Sequence, residues 1–145
     1  MSKYIALLFL LIPCTVSDLK RMEIPLLPVF IVCPVAAVVE LIFFGLQPVD
    51  ALFGALTGSL FILLALAARK NFGMGDGILI TGIGLFCGAR LLLPFLLIAF
   101  LLAAFLGGSL LFLRRGSVRQ RIPFVPFMLL SAIVCFLLKL IGPEG

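Results

Sequence analysis

The sequence predicts an all-α integral membrane protein, a polytopic bundle of about six transmembrane helices. Three observations carry that reading. Hydrophobic residues fill 64% of the 145 positions and charged residues only 12%, well beyond the roughly 45–50% apolar usage of a soluble domain. The apolar positions are gathered into runs near the ~20 residues that cross a bilayer. Most basic residues fall in the gaps between those runs.

The first run is Tyr4–Val16. It is expected to stay as an uncleaved helix, because no small-x-small site follows it and Ile12-Pro13 precede Cys14 where a lipoprotein signal needs a small residue. Ile24–Leu46 and Ala51–Ala68 supply the second and third spans. From Gly77 to Leu113 the chain is apolar apart from Arg90. As one helix that stretch would be roughly 55 Å long, nearly twice the hydrocarbon thickness, so it has to turn back. The turn is expected at Arg90 and Pro94, a charge that favours the interface followed by a residue that breaks the hydrogen-bond ladder. This gives spans at Gly77–Leu93 and Leu93–Leu113, and Phe124–Ile141 is the last. The runs are too continuous for the alternation of a barrel. With no internal repeat and no long linker, residues 1–145 read as a single membrane-embedded domain.

The loops alternate sides. Odd loops hold Lys20, Arg21, Arg69, Lys70, Arg114, Arg115, Arg119 and Arg121, whereas the other side has only Lys3, Arg90 and Lys139. By the positive-inside bias the odd loops are cytoplasmic and both termini lie outside. The net charge of +5 therefore reflects loops facing the cytoplasm and anionic lipid, and no nucleic-acid partner is expected. Cys14, Cys33, Cys87 and Cys135 lie within apolar runs, without CxxC spacing, and the chain has no histidine. Neither a disulfide framework nor a metal site follows, and no cofactor is implied.

The acidic residues separate by position. Asp50 and Glu144 fall at or beyond span ends and are expected to be solvated. Glu23 begins the second helix, where a carboxylate favours the positive end of the dipole. Glu40 lies inside the second span and is expected to snorkel or pair with Arg90. Asp18 and Asp76 differ from all of these. One ends the first helix and the other starts the fourth, so helix parity puts both at the same, cytoplasmic, depth. The first run is short, and ~15 residues from Lys3 rise only ~23 Å, which leaves Asp18 within the membrane or at its inner boundary. A carboxylate there costs a few kcal/mol on insertion scales, which makes it a functional candidate.

Two carboxylates brought close in a poorly solvated place cannot both ionise, so they share a proton. Such a pair can hydrolyse a peptide, the ionised member activating water and the protonated member polarising the carbonyl. Without histidine, Ser–His and Cys–His mechanisms are excluded, and Ser17 with Lys20 is a close Ser–Lys pair one helical turn apart. Two other roles fit the same residues. The aspartates can cap helices or pair with Lys20, Arg21, Arg69 or Lys70, or they can relay protons or cations in a small transporter.

Around Asp76 the chain reads Gly73-Met74-Gly75-Asp76, followed by Gly77, which resembles the GxGD signature of membrane aspartyl proteases. Asp18-Leu19-Lys20-Arg21-Met22-Glu23-Ile24-Pro25 resembles the first-aspartate segment of type IV prepilin peptidases, and Ile122-Pro123-Phe124-Val125-Pro126-Phe127 their Pro-Phe-rich element before the last helix. The three stretches keep that family's order. The resemblance implies that Asp18 and Asp76 are the catalytic dyad. It implies that Gly73, Gly75, Gly77, Pro25, Pro123, Phe124 and Pro126 shape the site or contact substrate. The expected partner is a prepilin or pseudopilin-like membrane protein, cut after its short basic leader at the cytoplasmic face of a prokaryotic inner membrane. Three positions depart from the pattern: Leu26 where Asn is frequent, Ile78 where Lys is frequent and Val125 where Gly is usual. They leave room for an unusual substrate and for a pilin-binding assembly factor that does not cleave. The paired CxxC methyltransferase domain of larger members does not precede Asp18, so the sequence reads as a peptidase core. Oligomeric state is not legible.

Overall fold

A computed structural model describes residues 2–21, 24–67, 74–113 and 123–142. Among them are six α-helices and no strand: α1 Ser2–Arg21, α2 Leu26–Phe43, α3 Pro48–Ala67, α4 Met74–Cys87, α5 Ala89–Leu113 and α6 Val125–Ile141. Three of these, Leu26–Phe43, Pro48–Ala67 and Ala89–Ser109, are long and apolar enough to cross a membrane, while Met74–Cys87 and Val125–Ile141 are shorter apolar helices. The outward faces are greasy. Phe30, Phe43 and Phe105 stand in the open on the bundle's outside, an arrangement that water would penalise and lipid does not.

α4 is the hub. It packs against α3, α2, α5 and α1 and buries residues on every side, from Gly77 and Leu79 to Phe86 and Cys87. Glycine makes this approach possible. Gly54 and Gly58 lie one turn apart on α3, and a Cβ at either would strike α4 backbone, at Gly84 and Thr81 respectively. Gly77 meets α3 in the same way, since a Cβ there would lie 2.8 Å from Ile62 Cγ1. Small residues at this spacing let two backbones touch, which compensates within lipid for the missing hydrophobic drive between helices. On its other face α4 meets α2, where Gly82 faces Cys33 and Val29. Cys14, Cys33 and Cys87 are buried as small apolar side chains, and all four cysteines are free.

The turn between α4 and α5 corrects the expectation placed at Arg90 and Pro94. The chain breaks at Gly88, whose φ of 77° is left-handed, a conformation that glycine enters without a Cβ clash. Its N–H donates to the carbonyl of Gly84 at 2.9 Å. Pro94 lies inside α5 instead. As the sixth residue of that helix it forfeits one ladder hydrogen bond, to the carbonyl of Arg90. Pro13 and Pro34 are likewise accommodated within α1 and α2, as prolines in membrane helices commonly are.

Asp50 is half-buried, and through an exposed contact its carboxylate accepts the backbone N–H of Arg90 at 3.3 Å, so it also helps to cap α5. Glu40 does not snorkel, being only 2% exposed. Glu23 and Glu144 lie outside the described residues. α1 runs past Asp18 to Arg21, beyond the end of its apolar run, with Lys20 and Arg21 complementing the negative end of the helix dipole.

Candidate active site at the shared end of α1, α4 and α6

Asp18 lies in the last turn of α1 and is buried. Its Oδ2 accepts the backbone N–H of Val125 at 3.1 Å, within the protein interior. Val125 is the first residue of α6, and that helix lacks a cap of its own. Phe124 at the N-cap supplies no side-chain hydrogen bond, and Pro126 in the first turn has no N–H. A carboxylate from α1 fills the role. A hydrogen bond to a charged acceptor typically contributes about 1.5–3 kcal/mol, and the positive end of α6 adds to it.

Asp76 is in the first turn of α4, partly buried and within Coulombic reach of Asp18. The depths agree. From Lys3 to Asp18 α1 rises about 22 Å, and from Cys87 back to Asp76 α4 spans about 17 Å. Both rises fall short of the ~30 Å thickness of a hydrocarbon layer.

The neighbouring residues divide in two. Gly75 adjoins Ile24, whose Cβ would lie 3.2 Å from a Cβ placed at Gly75. The GxGD stretch therefore touches the Ile24-Pro25 element, and Pro25 occupies the N-cap of α2 in extended conformation. Pro123 and Phe124 precede α6. The Phe124 ring lies 5.1 Å from that of Phe100, which stacks on Phe61 at 5.6 Å, tying the α6 start to α5 and α3. Gly77, in contrast, is occupied in packing on α3. Gly73 lies outside the described residues. Leu26 is exposed and Ile78 partly buried, while Val125 is fully buried at the Asp18 contact.

Two groups here were not anticipated. The Val125 N–H binds Asp18 across 107 positions of sequence, which no local pattern announces. Thr15 lies one turn before Asp18, buried, and its hydroxyl has no hydrogen-bond partner among the described residues. The i, i+3 spacing from Asp18 was the available signal for it. Among the described residues, no three His, Cys, Asp or Glu side chains gather as a metal site would require.

A model of the type IV leader peptidase family matches residues 5–108. The match takes in Asp18 and Asp76 and stops short of the Pro123–Pro126 element. No curated protein and no solved structure matches the chain.

Proposed function

Because the chain belongs to the type IV leader peptidase family, we propose that it is a membrane aspartyl endopeptidase that removes the short basic leader of a prepilin or pseudopilin-like protein. The observation that supports this most is the placement of Asp18 and Asp76 at one end of the bundle, within electrostatic reach. One carboxylate, ionised, takes a proton from water as it attacks the scissile carbonyl. The other, protonated, donates to the carbonyl oxygen; as the resulting diol collapses it takes that proton back, and the first carboxyl passes the proton it took from water to the departing amine. The Val125 N–H, bound to Oδ2, holds the Asp18 carboxylate in one orientation. In this reading residues 1–145 form one peptidase domain, all six helices cross the membrane, and Gly73, Gly75, Pro25, Pro123, Phe124 and Pro126 border the cleft. Gly77 serves it indirectly by seating α4.

The contact between Asp18 and Val125 also favours a second reading, in which Asp18 is a cap and the protein binds pilin-like helices without cutting them. Purified protein incubated with prepilin-type substrates separates the two. Cleavage before the substrate's apolar helix, undiminished by chelators, is the expected result. Stable binding without cleavage across the panel would overturn the peptidase reading.

Orientation is tested independently. Reporter fusions at Val49–Asp50 and after Glu144 are expected to read as outside, and one at Ser117 as cytoplasmic, since odd loops hold most of the basic residues. The reverse pattern would put the aspartates on the wrong face for a cytoplasmic leader.

A further inference from the structure

At the end of the bundle opposite Asp18 and Asp76 lies a cavity of about 580 Å³, to which all six helices or their ends contribute. That volume falls within the roughly 300–1,000 Å³ of small-ligand sites. Its lining includes Lys3 of α1, Arg90 of α5 and Lys139 of α6, against two carboxylates, Glu40 and Asp50. Asp50 is already engaged by the backbone N–H of Arg90. Lys139 is steadied over the Tyr4 ring, its Nζ 5.6 Å from the centroid. Three cationic groups thus outnumber the two carboxylates by one around a recess whose wall is completed by apolar groups such as Phe44 and Pro94.

The sequence adds a second, independent oddity. Lys3, Arg90 and Lys139 are the three basic residues that fall on the side otherwise poor in positive charge, where the positive-inside bias disfavours them. All three line this one cavity. With Glu40 and Asp50 in the same recess, the convergence leaves one positive charge beyond the carboxylates, which a ligand of opposite charge would balance.

We propose that this cavity binds a phosphate ester, held by Lys3, Arg90 and Lys139 and presented by the headgroup of a phospholipid in the adjacent leaflet. Lysine and arginine on three separate helices surround a phosphate with charge-assisted donors, and the apolar wall accommodates the glycerol and first acyl carbons. Bound there, the headgroup joins α1, α5 and α6 at the end remote from the aspartates. The proposal does not depend on peptidase activity.

The test is native mass spectrometry of the full chain in a neutral detergent, titrated with dihexanoyl phosphatidic acid and, separately, inorganic phosphate. A one-to-one lipid adduct is expected. Arg90→Gln, and the pair Lys3→Gln with Lys139→Gln, should each weaken it at least about tenfold, as the loss of one charged contact predicts. Lys3→Arg should retain binding, and Lys20→Gln, the same charge change at the other end, should leave it unaltered. Circular dichroism confirms that each variant keeps its helicity, and Arg90→Gln spares the backbone N–H that Asp50 caps. Competition by inorganic phosphate would show that the anion alone suffices, and its failure to compete would assign the site to an intact headgroup. No adduct, equal binding of uncharged dihexanoylglycerol, or an equal loss in Lys20→Gln would overturn the proposal.

Discussion

Asp18→Asn and Asp76→Asn are each expected to lower cleavage of a prepilin-type substrate by on the order of 10²–10⁴-fold, the usual contribution of a positioned acid or base. The double variant should be scarcely worse than either single one. Members of a dyad work only through one another, so their losses do not add. Asparagine is the informative replacement because of the Val125 contact. Its side-chain oxygen can still accept the N–H that starts α6, so folding is preserved while ionisation is abolished. Asp18→Ala removes both and should also destabilise the bundle by about 1.5–3 kcal/mol, the contribution of a hydrogen bond to a charged acceptor. The measurement is turnover of purified variants alongside unfolding in detergent. An active Asp18→Asn protein beside an unstable Asp18→Ala protein would mean that the carboxylate is a cap and nothing more.

The second large effect is expected far from the aspartates. Gly54→Leu on α3 or Gly84→Leu on α4 drives a side chain into the backbone of the facing helix, since even a Cβ at either position meets the other glycine's main chain. Overpacking typically costs about 1–3 kcal/mol, and here the obstruction is backbone that cannot choose another rotamer. The helices must separate, carrying Asp76 at the start of α4 away from Asp18. Such variants should unfold at markedly lower denaturant and lose cleavage together. Gly108→Ala is the control, because nothing lies within 4 Å of a Cβ there. It should be neutral or slightly stabilising, as alanine is the better helix former by about 1 kcal/mol. Equal damage at Gly54 and Gly108 would refute the account of the α3–α4 seam.

Composition and local spacing determined much of this protein. Continuous apolar runs can only be helices in lipid, because every backbone polar group must be satisfied within its own segment. Counting those runs was enough to put Asp18 and Asp76 at one end of the bundle, for helix ends alternate sides. The glycines around Asp76 marked a place where backbone comes close to its neighbours. What the runs could not give was which surfaces meet. Pro94 looked like the break between α4 and α5, yet the chain turns at Gly88, where left-handed backbone and the nearby Asp50 carboxylate leave no room for a Cβ. Gly77, adjacent to the motif, turned out to seat α4 on Ile62. Asp50 capped α5, and Asp18 capped α6 from across the chain. Each of these depends on a partner distant in sequence. Hydrophobic periodicity records only whether a face is apolar, whereas a hydrogen bond or a glycine contact depends on the position of a second helix to within an ångström, and packing alone sets that.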